Sequence, residues 1–144
     1  MLSRILETLK KDGAAFFPAA DERSLRFASS MLSSHRMPAI PMDYITLLKQ
    51  TDGLSWNGVE LYGCRANDRE EKGYTLPGLI EANLDFSTIE SMHGKLVLGR
   101  ASEELFVYDA LDQRYHILDR LDLTESASFS SFSEVIYLFV DELF

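Results

Sequence analysis

The side chains able to do chemistry in this chain are few, and their spacing limits what they can do. His35, His93 and His116 are scattered, with no pair four residues apart and no second cysteine at ligand spacing, so no zinc-type ligand set can be read. His116 falls inside a strand-like run and His93 beside Gly94 in a turn, where structural roles suffice. Cys64, the single cysteine, follows Gly63 at the end of a predicted strand, a permissible place for a nucleophile. Nothing in the sequence pairs it with an oriented base, as nucleophilic catalysis requires, and a lone cysteine is more often a small hydrophobe. The serines from Ser126 to Ser133 contain no Gly-x-Ser-x-Gly elbow, and neither glycine-rich phosphate motif is present. Carboxylates pair at Glu70-Glu71, Glu103-Glu104 and Asp119 with Asp122. Glycosidase-type work needs two of them held at a fixed separation across a cleft, and adjacent acids in polar loops are ordinarily solvated. The expectation is therefore no catalytic residue, no metal ligand set and no cofactor.

What remains is surface chemistry. Residues 1–72 carry ten acidic and ten basic groups, whereas residues 73–144 carry thirteen acidic groups against Lys95, Arg100, Arg114 and Arg120, so the whole net charge of −9 sits in the second half. Phosphate binding relies on clustered lysine and arginine, so nucleic acid and anionic membranes are disfavoured and a basic protein partner is favoured. The plain alternative is that acidity serves solubility. Glu103-Glu104 before one predicted strand and Asp109 and Asp112 beyond it put acid at both ends of a hairpin; Asp119, Asp122 and Glu125 extend this into an anionic face. Trp56, on a short loop, either anchors a partner or plugs the end of the core, and the plug is the better-supported reading. Trp56, Glu60 on the strand that follows it, Glu103, Glu104, Asp109 and Asp112 are the candidate partner-binding residues.

These groups must be held by elements that the periodicity outlines. Leu2, Ile5, Leu6 and Leu9 mark one helix, with Gly13 as its stop. Asp21 caps a second, carrying Leu25, Ala28 and Leu32. Pro41 opens a third, with Tyr44, Leu47 and Leu48 inward and Asp52-Gly53 at its end. Gly58 to Gly63 alternates and reads as a first or edge strand; residues 64–78 read as a loop, and Leu79 to Leu84 as one or two helical turns. Lys95–Gly99, Leu105–Asp109 and Tyr115–Asp119 read as strands, the last two joined by a five-residue hairpin loop. Ser126 to Ser133 reads as a loop that supplies a capping box, Ser131 with Glu134, to a terminal helix bearing Phe132, Val135, Ile136, Phe139 and Leu143. No βαβ alternation occurs, so the fold class is α+β: a single antiparallel sheet of about four to six strands packed with N-terminal helices and a C-terminal helix. A chain of 144 residues, 46% hydrophobic and with few prolines and glycines, suits one domain spanning 1–144 and not a disordered or fibrous protein. Its apolar runs are too short to span a bilayer, its N-terminus lacks a signal peptide's apolar core, and one cysteine suits a reducing compartment, so a cytoplasmic location is expected.

The run Pro41-Met42-Asp43-Tyr44-Ile45-Thr46-Leu47-Leu48-Lys49-Gln50-Thr51-Asp52-Gly53 resembles the most characteristic segment of the SUKH superfamily, a Pro-x-x-aromatic-x-x-Leu-Leu helix ending in an Asn/Asp-Gly turn. Leu54 to Gly63, ending in Tyr62-Gly63, is similar to that family's next strand, and Ser128-Phe129-Ser130-Ser131-Phe132 to its entry into the final helix. The pattern is most similar to the YrhA-like branch; many members carry a second glycine where this chain has Leu54. The likeness covers roughly residues 20–144, and residues 41–63 are its specific part. It implies a SUKH-like α+β fold. It further implies a non-catalytic protein-binding role, since bacterial members are mostly immunity proteins that block a cognate toxin, often a nuclease, and eukaryotic relatives, such as yeast cell-wall-assembly regulators, are regulatory interaction proteins. An acidic blocker could occupy a nuclease's phosphate-binding site as a phosphate mimic. The leading expectation is thus an immunity protein occluding the active site of a basic toxin. A regulatory or scaffold protein with a non-toxin partner is the alternative. An enzyme or small-molecule binder comes third and would need a deep pocket holding a group such as Cys64 or His116. A monomer is the default for so acidic a chain, with a homodimer open.

Overall fold

The helices form where apolar spacing and caps place them in a computed structural model that describes residues 1–69 and 73–144. α1 (Leu2–Lys11) buries Ile5, Leu6 and Leu9. α2 (Glu22–Ser34) buries Leu25, Ala28 and Leu32, and the Asp21 carboxylate accepts the Ser24 N–H at 2.7 Å as its N-cap. α3 (Met42–Leu48) starts one residue after Pro41, which is itself the extended cap, and buries Tyr44, Leu47 and Leu48. α4 (Leu79–Leu84) is short. α5 (Phe132–Val140) is capped by Ser131, whose hydroxyl accepts the Glu134 N–H at 3.4 Å. The reciprocal half of the expected capping box differs: the Glu134 carboxylate accepts the Ser130 and Ser131 hydroxyls.

Nine strands are present among the described residues: β1 (Ala15–Phe16), β2 (Leu54–Trp56), β3 (Val59–Leu61), β4 (Asn67–Arg69), β5 (Tyr74–Leu76), β6 (Lys95–Arg100), β7 (Glu104–Asp109), β8 (Arg114–Asp119) and β9 (Glu125–Phe129). Seven make one antiparallel sheet in the order β1-β2-β3-β6-β7-β8-β9, and β4 with β5 makes a separate hairpin. The class is α+β as expected, with more strands than four to six. Three stretches read as loops are extended. Leu54-Ser55-Trp56 pairs with β3 through Asn57-Gly58, where φ of +47° and +82° make the two-residue turn whose twist matches flanking strands. The serine run pairs with β8 as β9, and residues 64–78 hold β4 and β5. These strands are three to five residues long, too short for their own sequence to specify them; pairing with a neighbour makes them.

Register places Phe106 opposite Ile117 and Tyr108 opposite Tyr115, so these four share a face. α5 lies across it: Phe139 packs on Phe106 at a centroid distance of 4.9 Å, and Phe132 on Tyr115 at 5.8 Å. α3 and the turn that follows it are tied to the rest of the fold at three points. The Tyr44 hydroxyl is shared between the carbonyls of Tyr62, at 2.5 Å, and Leu98, at 3.0 Å, where Leu98 is the extra residue of a bulge in β6. The Asp43 carboxylate accepts the Phe132 N–H at 2.8 Å and the Tyr115 hydroxyl, joining α3, α5 and β8. Asp52, fully buried, accepts the Cys64 N–H at 2.6 Å, with Arg65 Nε 3.6 Å away. That approach needs Gly63, because a β-carbon there would lie 2.3 Å from the Asp52 carbonyl oxygen. The 41–63 segment is therefore a packing device, each of its special residues joining two elements. Among the described residues, no helix is long and apolar enough to cross a membrane.

Candidate functional site

The β7–β8 hairpin carries four of the six candidate partner-binding residues, two at each end. Its strands hold six residues each, so the ends lie roughly 17 Å apart. At one end Glu104 stands opposite Asp119 in register, with Glu103 beside it. Glu103, Glu104 and Asp119 line a groove of about 530 Å³ together with Ile117, Leu138 and Phe139, and no basic side chain lines it. Arg120, in the adjoining turn, points its guanidinium at the Ala101 and Ser102 carbonyls and leaves the groove uncompensated. At the other end Asp109 and Asp112 flank the β7–β8 turn.

The aspartates are there because they build the turns. Asp109 accepts the Leu111 N–H at 2.9 Å and Asp112 the Arg114 N–H at 2.9 Å. Asp119 accepts the Leu121 N–H at 2.8 Å and Asp122 the Thr124 N–H at 2.9 Å. Each of these bonds uses Oδ1, so Asp109, Asp119 and Asp122 keep Oδ2 for solvent or a partner. The N–H and hydroxyl of Thr124 hold the Asp122 carboxyl below its usual range. For Asp112, burial pushes upward, but the Arg114 N–H and His116 together pull it below the ordinary value. Both turns also present a leucine that the sequence reading passed over: Leu111 is 86% exposed and Leu121 is 95% exposed. A leucine inside a polar Asp-rich turn is the signal that could have found them. Each end of the hairpin thus has an apolar anchor rimmed by acid, the composition of an interface patch.

Trp56 and Glu60 do not join this surface. Trp56 is buried, and its indole N–H donates to Asp12 at 2.9 Å, so it closes the end of the core between α1 and β2 and lacks the exposure that an anchor needs. Glu60 is buried opposite Arg100, whose Nε donates to it at 2.8 Å. Its charge is matched inside the sheet and is not offered to a partner.

Of the groups considered for catalysis, Cys64 is buried and its thiol is pushed up to about 12 by that burial and by the Asp52 carboxylate beside it, so it stays protonated at neutral pH. His116 is buried with Nε2 2.7 Å from Asp112 and Nδ1 against Glu125, an arrangement that clamps β8 to the preceding turn and to β9. The ligand atoms of Asp109, Asp112 and His116 lie within 4.8 Å of one another, and they are the one set among the described residues that could gather around a cation. His93 sits in a turn with Nε2 3.2 Å from the Ser87 carbonyl. Glu70-Glu71 lies outside the described residues. Chemically, the Glu103–Glu104–Asp119 groove can accept ammonium or guanidinium groups from a partner. A scan against protein-family models and a search of curated proteins find no match for this chain.

Proposed function

We propose that this protein is a non-catalytic binding module that neutralises a basic protein, in the manner of a SUKH-type immunity protein occluding the active site of a cognate toxin. The observation that carries the reading is the groove at the Glu104–Asp119 end of the hairpin, with three carboxylates, no cation and the exposed Leu138 in its lining. A nuclease presents positive charge where it holds phosphates, and such a groove matches that surface in sign and adds apolar contact. The resemblance over residues 41–63 supports the fold family; the acidic groove supports the class of partner. The protein acts as a monomer in the cytoplasm, with neither nucleic acid nor membrane as its direct partner.

The test compares capture by the native chain with capture by the double variant Glu103→Lys, Glu104→Lys. These side chains make no hydrogen bond among the described residues, so their reversal spares the fold. A third bait, Glu22→Lys with Glu90→Lys, makes the same change in net charge at exposed positions outside the groove. The expected result is one basic protein held in an equimolar complex by the native and control baits, its enzymatic activity blocked, and its affinity for the double variant reduced at least tenfold. Undiminished binding to the double variant, or unaltered activity of the bound protein, refutes the reading.

A second reading, a regulatory or scaffold protein with a non-toxin partner, is favoured by the second acidic patch around Leu111, Asp109 and Asp112. Two separated patches on one rigid hairpin suit the bridging of two chains. A ternary stoichiometry, lost at one partner by Leu111→Ser and at the other by Leu121→Ser, would distinguish it from one-to-one inhibition.

A further inference from the structure

On a different side-chain cluster from the acidic groove lies a cavity of about 420 Å³ between the end of α2, the end of α4 and the start of β6. Its apolar lining is Met37, Pro38, Phe86 and Met92; its polar lining includes His35, Arg36, His93 and Lys95, and contains no carboxylate. That is notable in a chain with 23 acidic residues against 14 lysines and arginines. The buried Asn83 and Met92 belong to its wall. A cleft of this size that sets an apolar wall beside convergent polar groups has the form of a small-molecule site.

Arg36 is the informative residue. α2 ends in a Schellman turn: the Met37 N–H reaches the Leu32 carbonyl at 2.9 Å and the Arg36 N–H the Ser33 carbonyl at 3.0 Å. Arg36 occupies the left-handed position of that turn, with φ of +60°, where glycine is the unstrained residue. Helix termination therefore does not call for arginine, and its side chain has no hydrogen bond or ion pair among the described residues. An unfavourable backbone retained at a cavity mouth, holding an uncommitted cation, points from the outlier towards binding. The turn engages the Met31, Leu32 and Ser33 carbonyls at the helix end. Lys95 donates one ammonium hydrogen to the Ser91 carbonyl at 2.6 Å and keeps two. His93 faces the Ser87 carbonyl with Nε2, which must carry the hydrogen there and leaves Nδ1 available.

We infer that this cavity binds a small amphipathic anion, an aromatic or aliphatic carboxylate or sulfonate, whose apolar body lies on Met37, Pro38, Phe86 and Met92 and whose charged group meets Arg36 and Lys95. The site is independent of the acidic groove and of the partner proposed for it.

The experiment titrates the full chain with anilinonaphthalene sulfonate and, as a matched neutral probe, with phenylnaphthylamine, while backbone amide shifts locate the bound molecule. The anion is expected to saturate one site with a Kd on the order of 10–100 µM, and the neutral probe to bind about tenfold more weakly. Shifts should fall on residues 35–38 and 83–95. Arg36→Gly, which relieves the turn and should hold or raise Tm, weakens the anion about tenfold and leaves the neutral probe unchanged; Lys95→Gln does the same without touching the turn. Equal affinity for the two probes, unchanged anion binding in both variants, shifts confined to other surfaces, or no saturation at millimolar probe would each overturn the inference.

Discussion

Replacing Asn83 by leucine should destabilise this protein more than replacing it by alanine, the reverse of the order that hydrophobic burial alone dictates. β3 accompanies β6 only as far as the Tyr62 N–H to Leu98 carbonyl bond of 2.9 Å. Beyond it, the Asn83 amide takes the place of a neighbouring strand: Oδ1 accepts the Val97 N–H at 2.8 Å and Nδ2 donates to the Val97 carbonyl at 2.9 Å. Val97 is fully buried and Asn83 is 4% exposed. Leucine would fill the space and orphan both backbone groups of Val97 in a site that water cannot enter. Each orphaned group costs about 1–3 kcal/mol, so about 2–6 kcal/mol for the two, against about 1–2 kcal/mol gained from a larger apolar side chain; a net loss centred on about 2–3 kcal/mol is expected. Alanine loses the same bonds but opens the site towards the adjoining cavity of about 420 Å³, through which water can reach Val97. Its loss should be nearer 1–2 kcal/mol, on the order of one unsatisfied group partly rehydrated. Urea denaturation of the three chains measures the order, and hydrogen exchange at the Val97 amide tests its cause. A leucine variant as stable as the alanine variant, or Val97 exchange unchanged from the native chain, would refute the reasoning.

Two further outcomes follow from buried titratable groups. Cys64, buried and raised to about 12, should resist an aromatic disulfide reagent at neutral pH in the native state and react within the dead time once urea unfolds the chain; prompt native reaction would place the thiol at the surface. Tyr44 is held well above its ordinary value of 10.0 by burial and then by Asp52, and Tyr115 is raised by burial and by its bond to Asp43. Because unfolded tyrosines ionise near pH 10 and these two do not while folded, the stability that they contribute is intact below about pH 10 and is lost as pH rises above it. The slope is about 1.4 kcal/mol per pH unit for Tyr44. Tyrosinate absorbance should rise in two stages, surface rings first and the buried ones together with unfolding; a single stage near pH 10 with the fold intact would show that both rings titrate freely.

Much of the scaffold was legible because its causes are local. Apolar positions three and four residues apart specify one buried helix face, which is why Ile5, Leu6 and Leu9, or Leu25, Ala28 and Leu32, could be assigned inward without a structure. Asp21 and Ser131 cap helices by reaching an N–H three residues on, again a local act. The β7–β8 hairpin was readable from two β-prone runs and a short loop. β2 and β9 were not, because Leu54-Ser55-Trp56 is too short for a period to show and the run from Glu125 is rich in serine, so both become strands only against β3 and β8. Half of the signal for β2 was present in Asn57-Gly58, a turn pair that demands positive φ.

The acidic balance and its confinement to the second half belong to the sequence alone, since charge adds up without regard to folding. So do the absence of a glycine-rich phosphate loop and the apolar periodicity of four helices. Which carboxylates could meet a partner was decided by tertiary structure. Backbone hydrogen bonding sets register, and register put Glu104 beside Asp119 at an open groove but Glu60 opposite Arg100 inside the sheet. Trp56 was drawn inward by a partner 44 residues away, Asp12, and Arg36 was left at a cavity mouth by a helix end that glycine would have closed with less strain. Whether a charge is spent within the molecule or left for another one depends on what lies across from it, and that neighbour is distant in the chain.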